Sequence, residues 1–273
     1  MDNSLGNFRS TSEDICTALV IAHPGHELLV HGWLEVTRPF VFVFTDGSGR
    51  SNQSRLDSTT RILQQTGAKR GSIYGRLTDA AAYAAILNHD CDLFVGLAAE
   101  LCEAFMAQGI DFVAGDALEG YNPMHDVCRL VVNAAATVAG QVRGRALANF
   151  KFSLIGEPIG EPGAFHGSPP ADEICRRLDD DAFARKMAAA KGYAELAGEV
   201  HATLKRTSPD ALRVECLHPV DHGPGDYSCD RPPFYELYGE QQVAAGHYRQ
   251  VLRYSEHILP LAEALERYVE SRI

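Results

Sequence analysis

The sequence has no Cys-x-x-Cys pair, no long apolar run and no surplus of basic residues, and each absence removes a class of function. Its seven cysteines (Cys16, Cys91, Cys102, Cys128, Cys175, Cys216 and Cys229) are scattered and odd in number. That pattern speaks against a disulfide framework and for buried thiols in a reducing compartment, the expected one being the cytoplasm. No stretch reaches the ~18 consecutive apolar residues of a membrane helix. The opening MDNSLGNFRSTSEDIC lacks the apolar centre of a signal peptide. With 25 Lys and Arg against 36 Asp and Glu, the net charge of −11 disfavours neutralising nucleic-acid phosphates or docking on anionic lipid. Internal repeats and low-complexity tracts are missing too. The expected partner is a small molecule, with no nucleic acid and no membrane; a homo-oligomer stays open.

What is present suits a folded α/β protein. At 273 residues and 45% apolar content, one large domain is expected. TALVIA (17–22) and FVFVF (40–44) are short apolar runs bounded by turn residues, as strands buried on both faces require. ELLVHGWLEV (27–36) reads as a helix between them, and residues 55–67 as a helix ending at Gly67. Residues 79–88 and 92–108 read as helices, GIDFVAG (109–115) as a strand, 124–139 as a helix and KFSLIGE (151–157) as a strand. Such alternation predicts a Rossmann-like, doubly wound and mainly parallel sheet over residues 1–156. Residues 157–273 then read as a largely helical C-terminal extension of the same domain, a cap or an oligomer interface. It opens on a Pro- and Gly-rich loop, continues as a long helix with a break near Gly192, and holds one last strand in DALRVECLHPV (210–220).

Ligands of doubly wound sheets gather outside the carboxyl ends of the strands. AHPGHE (22–27), TDGSGR (45–50) and GDALEGYNPMHD (115–126) all fall there. His23, His26 and His125 are the histidines placed to converge, and three neutral imidazoles suit Zn2+, with Fe2+ or another first-row ion as the alternative. Three protein ligands leave a position for water, as a catalytic metal needs. The competing reading is three loop histidines that never meet. Asp46, Asp116 and Glu119 are loop carboxylates on the same side, candidates for a base or simply for turns and caps. Arg50 and Arg55 could hold a substrate carboxylate or phosphate beside the GSGR turn. His218 and His222, in LHPVDH, read as loop residues.

These motifs, in their order along residues 15–155, resemble the PIG-L/LmbE-like metal-dependent N-deacetylases. VIAHPGHE stands where that family has AHPDDE after its first strand. NPMHD stands where it has HPDH at a helix start, and TDGSGR resembles its loop after the second strand. The resemblance implies metal ligands at His23 and His125, with His26 at the position of an aspartate ligand. Glu27 keeps the family's glutamate. Gly25, however, replaces the general-base aspartate, Asn122 replaces a histidine and Met124 the aspartate that orients it. Losing a positioned proton-transfer group typically costs ~10²–10⁴ in rate. Asn122 can still donate a hydrogen bond to an oxyanion. The implied activity is zinc-dependent hydrolysis of an amide or N-acyl bond in a small substrate, a sugar-containing one included. Other metal-dependent chemistry, including oxidative chemistry on iron, and non-catalytic ligand binding are the alternatives.

Overall fold

The computed structural model describes residues 15–154, 173–220 and 232–272, and of Arg50 the backbone alone. Its strands are β1 (Thr17–Ile21), β2 (Phe40–Thr45), β3 (Lys69–Leu77), β4 (Phe112–Asp116), β5 (Ala148–Phe152), β6 (Ile174–Arg177) and β7 (Val214–Pro219). Between β1 and β5 lie α1 (His31–Thr37), α2 (Leu56–Thr66), α3 (Asp79–Leu87), α4 (Cys91–Ala107) and α5 (Pro123–Arg143). The C-terminal part adds α6 (Asp180–Lys191), α7 (Ala197–Arg206), α8 (Pro209–Leu212), α9 (Phe234–Ala244) and α10 (Leu259–Glu270). Among the described residues the sheet has seven strands in the order β3-β2-β1-β4-β5-β7-β6. The first five are mutually parallel, and β7 and β6 close the edge antiparallel. This is the expected Rossmann-like α/β fold. Among the described residues no helix is long and apolar enough to cross a membrane.

Alternating residues of β1 and β2 feed two cores, as the period of a strand demands. Ala18, Val20, Phe42 and Phe44 pack with α4, α5 and α10, whereas Leu19, Ile21, Val41 and Val43 pack with Trp33 and Leu34 of α1. All eight strand residues are at most 1% exposed. Burial on both faces explains why these runs are continuously apolar rather than alternating.

Several boundaries differ from the sequence expectation for physical reasons. The helix expected over 27–36 begins as a 3₁₀ turn, His26–Val30, and becomes α-helical at His31. The strand expected over 151–157 instead spans Ala148–Phe152, and residues 155–157 lie outside the described residues. The expected break near Gly192 separates α6 from α7, with a 3₁₀ turn at Ala194–Leu196. The strand expected in 210–220 is β7, and the C-terminal part adds one strand that was not expected, β6, which pairs with it at the edge of the sheet. His218, read as a loop residue, lies on β7; its companion His222 lies outside the described residues.

One expectation about the cysteines is corrected. The antiparallel register of β6 and β7 sets Cys175 opposite Cys216, and their sulfurs are joined as a disulfide. Cys102 and Cys128 are buried thiols, Cys16 and Cys91 half-buried ones.

The C-terminal strands and helices are tied to the β1 side by one buried ion pair. Lys186 Nζ donates to Glu215 Oε1 and to the carbonyl of Leu29, each at 2.9 Å. The same Glu215 carboxylate accepts the N–H groups of Gly32 and Trp33 at 3.0 and 2.9 Å, capping the start of α1 from far along the chain.

Candidate metal centre

β1 and β4 are neighbours, but their following helices lie on opposite faces of the sheet, so a crevice opens beyond their carboxyl ends. Asp116, the last residue of β4, receives the Ala22 N–H at 2.8 Å on Oδ2 and thereby ties the loop after β1 to the mouth of β4. Gly25 turns that loop with φ +109°, a backbone region costly for other residues. His23 and His26 on either side then point into the same crevice. His125 reaches it from the first turn of α5, whose N-cap is Asn122 and whose first residue is Pro123.

The three imidazoles converge. Ring centroids lie 5.4 Å apart for His23 and His26, 5.2 Å for His23 and His125, and 4.6 Å for His26 and His125. His23 Nδ1 sits 2.8 Å from Thr45 Oγ1 and 3.1 Å from Asp79 Oδ1. His26 Nδ1 lies 3.0 Å from both oxygens of Asp116. An ionised carboxylate only accepts, so it places the proton on Nδ1 and leaves the lone pair of each ring on Nε2. Among the described residues, the buried His23 Nε2 and His125 Nδ1 have no protein partner. Buried imidazole nitrogens without a protein partner are what a first-row metal ion satisfies. Among the described residues the group of three ligand atoms within 4.8 Å of one another is Glu173, Cys175 and Cys216; the nitrogens of the three histidines do not all come that close.

The electrostatics of His125 agree with a neutral ligand. Burial, with His26 and His23 beside it, pushes His125 well below the ordinary histidine value. Burial alone would raise the Asp79 carboxyl, yet His23, Thr45 and the Gly49 N–H hold it well below its ordinary value. Asp126, next to His125, goes the other way: burial pushes it up to about 7 against the N–H groups of Gly120 and Glu119. Glu27 is fully buried and raised by burial, with Oε2 accepting the Gly25 N–H at 2.7 Å.

The other predicted site residues, Arg50 apart, have defined places. Asn122 Oδ1 accepts the Met124 N–H and the Tyr83 hydroxyl, both at 2.9 Å. Because a backbone N–H can only donate, this contact identifies Oδ1 and leaves the Nδ2 amide as the group free to donate elsewhere. Asp46 Oδ1 accepts the N–H groups of Ser48 and Asp79, shaping the loop after β2. Glu119 accepts from the Ser153 hydroxyl and the Leu154 N–H, tying its loop to the end of β5. The side chain of Arg55 lies against the same β2 loop, its Cδ 3.0 Å from where a Cβ on Gly47 would stand. The side chain of Arg50 lies outside the described residues.

Where the resemblance expects a base, the space is closed. A Cβ on Gly25 would stand 2.4 Å from Leu196 Cδ1 and 3.9 Å from Tyr193 Cζ. Tyr193 is fully buried there, its hydroxyl bonded to Thr59 Oγ1 at 2.9 Å. Sequence reasoning missed Asp79, Thr45, Tyr83 and Leu196. Asp79 opens α3 just after β3, so the rule that used the loops after β1, β2 and β4 would have found it in the loop after β3.

No family model matches this chain, and no curated protein does. Solved structures do. The A40926 pseudoaglycone deacetylase Dbv21 aligns over 75% of this chain and 96% of its own, at 20% identity with a TM-score of 0.51. The zinc-inhibited form of teicoplanin deacetylase Orf2 aligns over 76% and 100%, at 12% identity and a TM-score of 0.47. The conserved protein TT1542 from Thermus thermophilus aligns over 75% and 93%, at 15% identity and a TM-score of 0.47. At such identities the likeness is one of fold.

Proposed function

We propose that this chain is a divergent PIG-L/LmbE-like enzyme, a metal-dependent hydrolase that cleaves an amide or N-acyl bond in a small, sugar-containing substrate. The observation that carries the reading is the convergence of His23, His26 and His125, two of them backed by carboxylates and two with orphaned ring nitrogens. Zinc fits that donor set, with Fe2+ as the alternative. The fold shared with the A40926 pseudoaglycone deacetylase supports the reaction class.

The ion would supply Lewis acidity, polarising a carbonyl and lowering the pKa of a bound water to ≈7. The chain's own residues do the rest. Asp79 and Asp116 hold the Nδ1 protons of His23 and His26 and so aim both rings. Tyr83 and the Met124 N–H lock the Asn122 amide, whose Nδ2 is the donor for the developing oxyanion. Asp46 and Glu119 are engaged by their own loops, and Asp116 by His26, so these serve the frame rather than proton transfer.

A second reading rests on Leu196. An apolar side chain over Gly25 suits chemistry that needs no carboxylate base, including oxidation on iron. The test is acetate release from N-acetylated amino sugars by the zinc-loaded protein, beside His23→Ala. Metal-dependent release that disappears in the variant supports hydrolysis. No release with zinc, together with oxidative turnover after iron loading, favours the second reading.

A further inference from the structure

At the β6 edge of the sheet a second set of metal-ligating side chains gathers. β6 pairs with β7 so that Cys175 faces Cys216, and the neighbouring pair, Ile174 and Leu217, turns to the other side. One step further the same register brings Glu173 opposite His218, on the face of the two cysteines. The contacts agree: Glu173 Oε1 lies 3.2 Å from Cys175 Sγ and 3.2 Å from His218 Nδ1. One ligand atom from each of Glu173, Cys175 and Cys216 falls within 4.8 Å of the other two. The Glu173 side chain is only 13% exposed, yet a disulfide sulfur has no proton to offer its carboxylate. Reduction would turn the two sulfurs into thiol donors beside that carboxylate, a sulfur-and-oxygen donor set that suits a thiophilic cation.

We propose that Cys175, Cys216 and Glu173 form, once the disulfide is reduced, a second metal site of the thiolate type, taking zinc or a comparably thiophilic divalent ion, with His218 positioning the Glu173 carboxylate. Thiolates select such ions over magnesium or calcium, and carboxylate completes zinc sites at similar spacing. The conversion balances through a dithiol reductant. Its two thiols close to a disulfide, giving two electrons and two protons to the Cys175–Cys216 bond, which opens to two thiols. The ion then displaces both thiol protons to solvent. A small disulfide oxidant reverses the exchange: it takes two electrons from the two thiolates and two protons from solvent, leaves as two thiols, and the ion is released as the Cys175–Cys216 bond re-forms. The site stands apart from the three histidines and does not depend on their role.

Cobalt(II) titration of the full chain tests this, after reduction with a dithiol and desalting without oxygen. Reduced wild type is expected to take up one equivalent more than the Cys175→Ser, Cys216→Ser variant. It is also expected to show a thiolate-to-cobalt charge-transfer band that the variant and the oxidised protein lack. Glu173→Gln, which leaves both cysteines in place, is expected to weaken that equivalent at least about tenfold. Equal uptake by reduced wild type and the double variant, no charge-transfer band, or a disulfide that resists the dithiol in a thiol count would each overturn the proposal.

Discussion

Asp79 and Asp116 stand one hydrogen bond behind the histidines, and removing such partners typically costs 10–100-fold in metal affinity. Asp79→Asn is therefore expected to weaken zinc binding within that range while the fold persists, as competition with a chelating dye reads directly. Asn122 has two duties, capping α5 through Oδ1 and donating through Nδ2. Asn122→Ala is expected to lower kcat by ~10²–10³, the loss typical of an oxyanion donor, and stability by only ~1 kcal/mol, the usual value of a cap. Chemical denaturation beside steady-state kinetics separates the two. Asp126 makes a prediction about pH. Its folded value, about 7, lies above the ordinary 3.8, so the folded state favours the protonated carboxyl. The stability it contributes is present below pH 3.8 and is lost as pH rises through 7. Asp126→Asn keeps an acceptor for the Glu119 and Gly120 N–H groups and carries no charge. Metal-free Asp126→Asn should thus gain stability over wild type by more at pH 8 than at pH 5, compared by denaturant midpoint.

Among the elements, the turn between α6 and α7 matters most for chemistry, because it lays Leu196 over Gly25. Gly25→Asp alone is expected to destabilise the loop, through both the clash and the positive φ. Gly25→Asp with Leu196→Ala relieves the clash, and under the hydrolase reading it should raise the hydrolytic rate by ~10²–10⁴ over wild type, the worth of a proton-transfer group. A second element-level device is the Lys186–Glu215 pair, which joins α6, β7 and the start of α1. Glu215→Ala strands the Lys186 ammonium in a buried site and uncaps α1, and is expected to cost ~3–5 kcal/mol in denaturant unfolding. What the sequence revealed at this scale follows burial. TALVI and FVFVF announce central strands because both faces are covered, and Gly67 ends α2 where the left-handed cap needs it. The sequence ICRR, by contrast, gave no sign of β6, since its residues lie on an edge, largely exposed, and carry no apolar alternation. The three histidines were legible because each follows a strand or opens a helix. Leu196 was not, because only packing between residues far apart in sequence brings it over Gly25.

At the scale of the whole molecule, the order β3-β2-β1-β4-β5 places the β1 and β4 mouths side by side at the switch point of the sheet. Two segments separated by about 100 residues of sequence can thus complete one centre, AHPGHE from one side and NPMHD from the other. On the proposed function, His23, His26 and His125 hold one metal ion at this centre. Elemental analysis of wild type beside a His23→Ala, His125→Ala double variant is the decisive measurement, with both proteins first oxidised so that Cys175 and Cys216 are joined. Close to one equivalent of zinc is expected in wild type and none in the variant. Wild type that takes up no metal even after reconstitution, or a variant that retains all of it, would rule the centre out.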